Sequence, residues 1–286
     1  MSTNANEIPF TPQVGLFRKG PSTADRWWTP VVPLDFSLHS TYNIAFSSFA
    51  LGMLMATGFS VSISSGWSSL GVLGLYTSFV SLYHICEYLS VAMYNPLRVS
   101  MESFMFQPDG EDYGYTVAMG ISLIEYALTW WLFPGFKQPG LLTVIGLLIA
   151  LIGQVMRTLA MVTAKTSFNH YIARRRETDH QLITHGIYKY ERHPSYVGFF
   201  LWATGLQIML KNTLSLVLFV AALGFFFCSR TVHEENMLIS FFGEQYLLYK
   251  QSTPSLVPVK LWARLREKHI LSSHTIPKEA RTILEH

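Results

Sequence analysis

Charged residues are scarce in this chain of 286 residues, since Asp, Glu, Lys and Arg make up only 14% of it. A typical soluble domain carries roughly 25%. Hydrophobic residues make up 50% of the chain. This balance excludes a disordered chain and a nucleic-acid binder that depends on dense basic charge, and it argues against an ordinary cytosolic enzyme. The net charge of +3 is too small to indicate an acidic partner.

Cysteines and closely spaced glycines are also missing. The two cysteines, Cys86 and Cys228, lie in apolar stretches, which excludes a secreted disulfide scaffold and a four-ligand zinc module. No two of the 19 glycines are separated by a single residue, so the G-x-G turn of a Rossmann site or a soluble methyltransferase is absent. The histidines show neither an HExxH pattern nor helical pairing, so we expect no metal cofactor.

Long apolar stretches are what the chain has in abundance. A hydrocarbon core about 30 Å thick requires ~20 mostly apolar residues per helix. Four stretches reach that length, namely 41–61, 67–91, 113–133 and 139–163. A fifth apolar region, 195–229, is interrupted by Lys211 and Asn212 and fits two short helices in a hairpin. The sequence therefore predicts an all-α integral membrane protein with about six transmembrane helices, including a short C-terminal hairpin.

The distribution of Lys and Arg predicts the orientation in the membrane, because cytosolic loops are enriched in both residues. Eighteen of the 21 basic residues fall in the N-terminal segment, in the 92–112 and 164–194 segments, and from Arg230 onward. Only Lys137 and Lys211 lie between helices on the opposite side. We expect both termini and the polar segments to face the cytosol, in contact with the lipid bilayer surface.

Three regions follow from this division. The first 39 residues form a polar cytosolic segment without the apolar core of a signal peptide. Residues 40–258 form the membrane domain, with its polar motifs in 166–250, and residues 259–286 form a basic cytosolic tail.

Two features inside the predicted spans bear on helix packing. Glu87, Glu125 and Arg157 are charges at membrane depth, where charged side chains are usually paired or functional. Glu125 and Arg157 are candidates for an interhelical ion pair, and polar packing between helices is the alternative. Gly146, Ala150 and Gly153 share a face of small residues, which indicates that another helix approaches closely there.

The 166–250 segment holds the polar residues best suited to chemistry. Pro194 fixes its own φ, so we expect a loop to end at His193 and a helix to begin directly after it. Arg230 and Glu234 are four residues apart and would share one face of the sixth helix. This spacing fits a helix-stabilising ion pair, and it equally fits a site for a ligand that carries both charges.

The order of motifs in this segment resembles the isoprenylcysteine carboxyl methyltransferase family. The motifs are His180-x-Leu182-Ile183-x-x-Gly186-x-Tyr188, Arg192-His193-Pro194-Ser195-Tyr196-x-Gly198, Trp202, Gly205, Arg230, Glu234-Glu235 and Phe241-Phe242-Gly243-Glu244-Gln245-Tyr246. Matching stretches upstream include Tyr94-Asn95-Pro96-Leu97, Glu102-Ser103-Phe104 and Ser167-Phe168-Asn169-His170. The likeness covers roughly residues 42–258.

This resemblance implies an endoplasmic reticulum enzyme that transfers a methyl group from S-adenosylmethionine to the C-terminal carboxylate of a prenylated cysteine, after CaaX cleavage. It implies a cytosolic segment that caps the cofactor. It implies that Arg230 binds the substrate and that Arg230 and Glu234 are catalytic. The implied cofactor contacts are His180, Gln181, Leu182, Ile183, Tyr188, His193, Pro194, Ser195, Tyr196 and Glu234, with Gln181 contributing mainly its backbone.

Three other functions remain open from the sequence. A phospholipid N-methyltransferase would share the HPSY box and could use Arg174, Arg175 and Arg176 for phosphate. An NADPH-dependent sterol reductase has a similar C-terminal end, although the upstream motifs weigh against it. A non-catalytic membrane scaffold would have no need of the dense polar segment at 166–196.

Overall fold

The computed structural model describes residues 41–106, 114–171 and 181–257. The predicted N-terminal segment and the predicted basic tail lie outside these residues, so that division of the chain stays a prediction.

Regular structure in the described residues is entirely helical, with no strand among them. The α-helices are α1 (Thr41–Ser65), α2 (Ser69–Tyr94), α3 (Gly114–Leu132), α4 (Leu141–Ala164), α5 (Pro194–Met209), α6 (Thr213–Phe242) and α7 (Glu244–Ser252). Short 3₁₀ turns cover Pro96–Arg98, Met101–Phe104, Lys165–Ser167 and Gly186–Lys189. The predicted start of a helix directly after His193 is confirmed, because α5 begins at Pro194.

Four of the described helices are long and apolar enough to cross a membrane: α1, α2, α4 with the turn that follows it, and α6. At about 1.5 Å per residue, the 16 residues of α5 span about 24 Å, which is shorter than a hydrocarbon core. The 19-residue α3 carries the charged Glu125 and is not among the four either. The described residues therefore form an all-helical membrane protein with four candidate spans.

Large apolar side chains face outward along these helices. Phe49 is 67% exposed, Ile63 is 72% exposed and Trp131 is 78% exposed. Soluble monomers rarely leave a continuous apolar surface of this kind in water. The outer surface therefore suits contact with lipid.

Helices α4 and α5 pack with their backbones almost in contact. A Cβ atom added to Gly153 would lie 2.3 Å from the backbone nitrogen of Trp202, and one added to Gly205 would lie 2.5 Å from that of Ala150. Only glycine permits so close an approach. The predicted small-residue face of α4 is confirmed, and the contact fixes α5 against α4.

The expected ion pair between Glu125 and Arg157 is wrong. Glu125 instead accepts hydrogen bonds from the backbone N–H groups of Leu214 and Ser215, at 2.9 and 2.7 Å. These groups open α6, where N–H donors have no partner in the helix and the helix dipole attracts an anion. Arg157 pairs with Glu87 of α2.

The turn between α5 and α6 lies at the same end of the molecule as Glu125. The Lys137 ammonium donates to the carbonyls of Leu210 and Lys211 and to Asn212 Oδ1, at 2.9, 3.0 and 2.7 Å. Burial lowers the pKa of Lys137 to about 8. Lys137 and Lys211, which the sequence predicts on the same side of the membrane, therefore both lie at this end of the molecule. The site described next lies at the opposite end.

Candidate active site

A cavity of about 530 Å³ lies where α5 begins and where α6 approaches its end. One end is polar and is lined by Arg230, Glu234 and His193. The other end is an apolar slot between α3 and α6, which present Ala118, Ile121, Leu218, Phe219 and Ala222 to it. The cavity therefore joins a charged compartment to a channel suited to a hydrocarbon chain, and its size is within the range of small-molecule sites.

Nearly all the residues that the sequence predicts for the site line this one cavity. They are Gln181, Leu182, Ile183, Tyr188, His193, Pro194, Ser195, Tyr196, Arg230 and Glu234. His180 lies outside the described residues. Residues separated by more than 50 positions in the chain are thus brought to one place by α5, α6 and the segment that precedes α5.

Tyr196 lies between the two charged residues of α6. Its hydroxyl donates to Glu234 Oε2 at 2.5 Å and accepts from Arg230 Nε at 2.9 Å. Arg230 also donates to the backbone carbonyl of His170. The cation and the anion are therefore held apart by a tyrosine, and both reach the same cavity. This arrangement differs from the simple helix-stabilising ion pair that their spacing also allowed.

His193 is buried beside the two adjacent glutamates. Its Nδ1 lies 3.6 Å from Glu234 Oε2 and its Nε2 lies 3.2 Å from Glu235 Oε1. Burial alone would lower the pKa of His193, but its interactions with both carboxylates raise it to about 9. The imidazole also stacks on Tyr196, with ring centroids 5.5 Å apart. At neutral pH His193 is therefore a cation that fixes the orientation of Tyr196 and Glu234.

The two glutamates have different surroundings although they are neighbours in sequence. Glu234 lines the cavity, and its side chain is 30% exposed. Glu235 accepts from Arg192 at 2.7 and 2.9 Å and pairs with Lys250 at 2.7 Å. Consecutive residues of a helix point about 100° apart, so α6 turns one carboxylate to the cavity and the other to the segment around α7. Glu235 therefore ties α6 to the loop before α5 and to α7.

Helix α7 holds the segment from Gln181 to Tyr188 in place. The hydroxyl of Tyr249 donates to the backbone carbonyl of Tyr188 at 2.6 Å. Leu182 packs against a cluster that includes Phe242 and Tyr246. Burial raises the pKa of the Tyr188 phenol, which keeps it protonated at neutral pH. The segment thus forms a fixed wall over the polar end of the cavity.

A buried ionic network lies beneath the cavity, and the sequence did not predict that its residues interact. Arg157 donates to the two carboxylate oxygens of Glu87 at 2.7 and 2.8 Å and to Ser195 Oγ at 2.5 Å. His170 Nε2 lies 2.6 Å from the same carboxylate. Glu87 and Arg157 were visible as charges inside spans, but nothing in the sequence paired α2 with α4. The network orients Ser195 and His170, which both line the cavity.

Metal ligands do not cluster in the part of the chain that the structure describes. No group of three or more His, Cys, Asp or Glu side chains there is arranged to hold a metal ion.

Comparison with known proteins points to one family. The model of the isoprenylcysteine carboxyl methyltransferase (ICMT) family matches residues 144–240, which include α5 and nearly all of α6. A protein-S-isoprenylcysteine O-methyltransferase of Tribolium castaneum is 36% identical over 232 residues, covering 79% of this chain and 81% of the relative. The human protein of the same name is 40% identical over 218 residues, covering 76% of this chain and 75% of the relative.

A solved structure is similar over the same extent. It is that of a eukaryotic intramembrane Ras methyltransferase, ICMT, which is 36% identical in sequence. The two folds superpose with a TM-score of 0.72, and the match covers 76% of each chain.

Proposed function

This chain belongs to the isoprenylcysteine carboxyl methyltransferase family, and we propose that its cavity brings S-adenosylmethionine to the C-terminal carboxylate of a prenylated cysteine. The enzyme is a methyltransferase, and its product is a methyl ester. One observation carries the assignment of the site: a single cavity joins the compartment of Arg230 and Glu234 to the apolar slot between α3 and α6.

The polar end fits the methyl donor. S-adenosylmethionine supplies a methyl group on a positively charged sulfonium when it is bound. Glu234 presents a carboxylate to the cavity and can accept the cationic part of such a ligand. The apolar side chains of Leu182 and Ile183, with the Tyr188 ring, offer a surface to the adenine. The residues present therefore suit a cationic nucleoside, and His180 belongs to the same proposed set.

The residues need only align the reactants, because the acceptor is already a nucleophile. A C-terminal carboxyl group has a pKa near 3.5 and is ionised at neutral pH, so no general base is required. Arg230 lies beside Tyr196 and His170 and is positioned to hold one carboxylate oxygen. Tyr196 keeps Arg230 at a fixed distance from Glu234. Alignment of this kind can contribute as much as ~7–11 kcal/mol.

Exclusion of water contributes as well. A carboxylate and a sulfonium lose charge as the methyl group is transferred, so a site with little water favours the transition state over the separated charges. Aromatic side chains of Phe199, Phe226 and Phe227 line the cavity between Arg230 and the apolar slot. The prenyl chain would lie in that slot, which it can enter from the lipid.

The active site faces the cytosol in this proposal. Lys137 and Lys211 lie at the opposite end, while most basic residues belong to segments on the site's side. We propose that α3 and α5 also cross the membrane, which brings the four candidate spans to six. The predicted C-terminal hairpin then consists of α5 and α6. The segment from Gln181 to Tyr188 acts as the cap over the cofactor. The endoplasmic reticulum and processed CaaX proteins, as location and partners, rest on the family resemblance.

The alternatives receive no support from the relatives. Both curated relatives described above bear the name of a carboxyl methyltransferase, and neither is a phospholipid methyltransferase or a sterol reductase.

Purified protein in lipid nanodiscs tests the proposal. It should transfer label from methyl-labelled S-adenosylmethionine to N-acetyl-S-farnesylcysteine as a base-labile ester, and leave phosphatidylethanolamine unlabelled. Arg230→Ala should lower kcat at least 100-fold while the affinity for S-adenosylhomocysteine stays within about threefold of the parent, because Arg230 serves the acceptor.

A matched control comes from the same helix. His233 is exposed and does not line the cavity, so His233→Ala should keep normal turnover. Label in the phospholipid would contradict the proposed substrate, and normal turnover of Arg230→Ala would contradict the role of Arg230.

A further inference from the structure

A second cavity of about 240 Å³ adjoins the first and has a different character. Its walls are the end of α2, the two 3₁₀ turns that follow it, and the segment 168–171. Its lining is richer in polar side chains than that of the first cavity, and these include Asn95, Glu102 and Asn169. The sequence motifs around Asn95 and Glu102 resemble the family, yet the main cavity makes no use of either residue.

The two cavities meet at residues 168–171, which line both of them. Arg230 donates a hydrogen bond to the backbone carbonyl of His170 in this segment. The second cavity therefore begins at the segment that contacts the guanidinium proposed to hold the substrate carboxylate.

A prenylated cysteine at the end of a protein has three branches: the prenyl chain, the carboxylate and the amide that leads to the rest of the polypeptide. The slot between α3 and α6 suits the first branch, and Arg230 suits the second. The cofactor segments around Gln181–Tyr188 and Glu234 occupy another wall of the polar compartment. Among the described walls of the compartment, the one formed by residues 168–171 remains for the amide branch.

We infer that the second cavity receives the substrate's polypeptide, as an extended segment immediately upstream of the prenylcysteine. This inference rests on the proposed function and extends it to the protein part of the substrate. An extended peptide presents an N–H donor and a C=O acceptor at every residue. The cavity offers matching groups beyond its internal bonds. Glu102 Oε2 accepts from the Tyr171 hydroxyl at 3.0 Å, which leaves the second carboxylate oxygen as an acceptor. Asn95 Nδ2 donates to the Phe168 carbonyl at 3.4 Å, which leaves the amide oxygen and a second N–H.

The lining also indicates what the cavity selects. Arg98 and Glu102 bring opposite charges to the same small space. A lining of mixed charge has no strong preference for a basic or an acidic peptide, so backbone groups dominate the recognition. The site therefore accepts different protein sequences while it holds the end of each in one path.

Two variants test this inference against the minimal substrate. Glu102→Gln removes an acceptor's charge, and Val91→Phe fills part of the second cavity; neither residue lines the main one. For each variant, kcat/KM is measured with N-acetyl-S-farnesylcysteine and with a farnesylated alanine-rich peptide that ends in the same cysteine. We expect the peptide value to fall about three- to tenfold and the minimal-substrate value to stay unchanged.

Matched controls are available elsewhere on the surface. Glu244→Gln removes an exposed carboxylate, and Val162→Phe enlarges an exposed apolar side chain; both residues lie outside the two cavities. Both control variants should have the same kcat/KM as the parent for each of the two substrates. An equal loss on both substrates, or no loss on the peptide, would overturn the inference. Failure of the parent to methylate N-acetyl-S-farnesylcysteine would instead overturn the proposed function.

Discussion

The ion pair between Glu87 and Arg157 provides a quantitative test of how the site is supported. Glu87 is completely buried, and two hydrogen bonds of 2.7 and 2.8 Å join it to Arg157. Removing one partner of such a pair leaves a buried charge without compensation, which costs about 3–5 kcal/mol. We therefore expect Glu87→Leu and Arg157→Met each to lower the free energy of unfolding by about that amount.

The double variant should behave differently. With both charges gone, no unpaired charge remains, and hydrophobic replacements of buried pairs are often close to neutral. The double variant should therefore be more stable than either single variant, with a coupling energy of at least about 2 kcal/mol. It should nevertheless have little activity, because Ser195 loses the donor Arg157 and His170 loses its partner Glu87.

Thermal unfolding in detergent, together with methyl transfer, measures both effects. At about 2–4 °C per kcal/mol, each single variant should unfold about 10 °C below the parent. Glu244→Leu, which removes an exposed carboxylate, serves as the control and should change the midpoint by no more than about 2 °C. Losses below about 1 kcal/mol in the single variants, or a fully active double variant, would refute the reasoning.

Three further predictions concern packing, pH and the tyrosine between the charges. Gly153→Ala should lower the unfolding midpoint by several degrees, because the added Cβ would meet the α5 backbone. Gly224 has open space around it, so the control Gly224→Ala should leave the midpoint unchanged or raise it. Equal effects of the two substitutions would contradict the close approach of α4 and α5. The charged His193 stabilises the fold fully below pH about 6.5, and this contribution should disappear as the pH rises through about 9. Unfolding midpoints measured from pH 6 to 10 should show this decline in the parent and not in His193→Gln. Identical pH profiles for the two proteins would rule the titration out. Tyr196→Phe should lower kcat about tenfold or more, because the hydroxyl that positions Arg230 relative to Glu234 is lost. An unchanged kcat would show that the hydroxyl does not position these two residues.

The helices were predictable from the sequence because their signals are local. Apolar length marked α1, α2 and α4 to within a few residues, and Pro194 fixed the start of α5. The end of α6 was less visible. Its polar C-terminal part, which contains Arg230 and Glu234, continues the helix to Phe242 because these side chains face the cavity and other protein segments.

Partners across helices were not predictable, because a charge inside a span indicates that a partner exists without indicating which one. Arg157 was expected to meet Glu125, but the close contact of α4 with α5 and the position of α2 bring Glu87 to it instead. Glu125 instead accepts hydrogen bonds from backbone N–H groups at the start of α6, and such partners have no sequence signature. The role of Tyr196 between Arg230 and Glu234 likewise depends on how α5 packs against α6.

The site residues themselves were found through motifs rather than through physical patterns. Spacing placed Arg230 and Glu234 on one face of a helix, but only the resemblance to the family connected them with the segment from Gln181 to Tyr188. The structure then brings these residues to one cavity. The second cavity had no sequence signal as a site, because its lining comes from two stretches, 91–103 and 168–171, that lie far apart in the chain.

In the proposed mechanism, one cavity holds the methyl donor and the prenylcysteine end to end. An experimental structure of the enzyme with S-adenosylhomocysteine and N-acetyl-S-farnesylcysteine bound together tests it most directly. We expect the cofactor product beside Glu234, the carboxylate at Arg230 and the farnesyl chain between α3 and α6. Two ligands in separate cavities, or a carboxylate remote from Arg230, would contradict it.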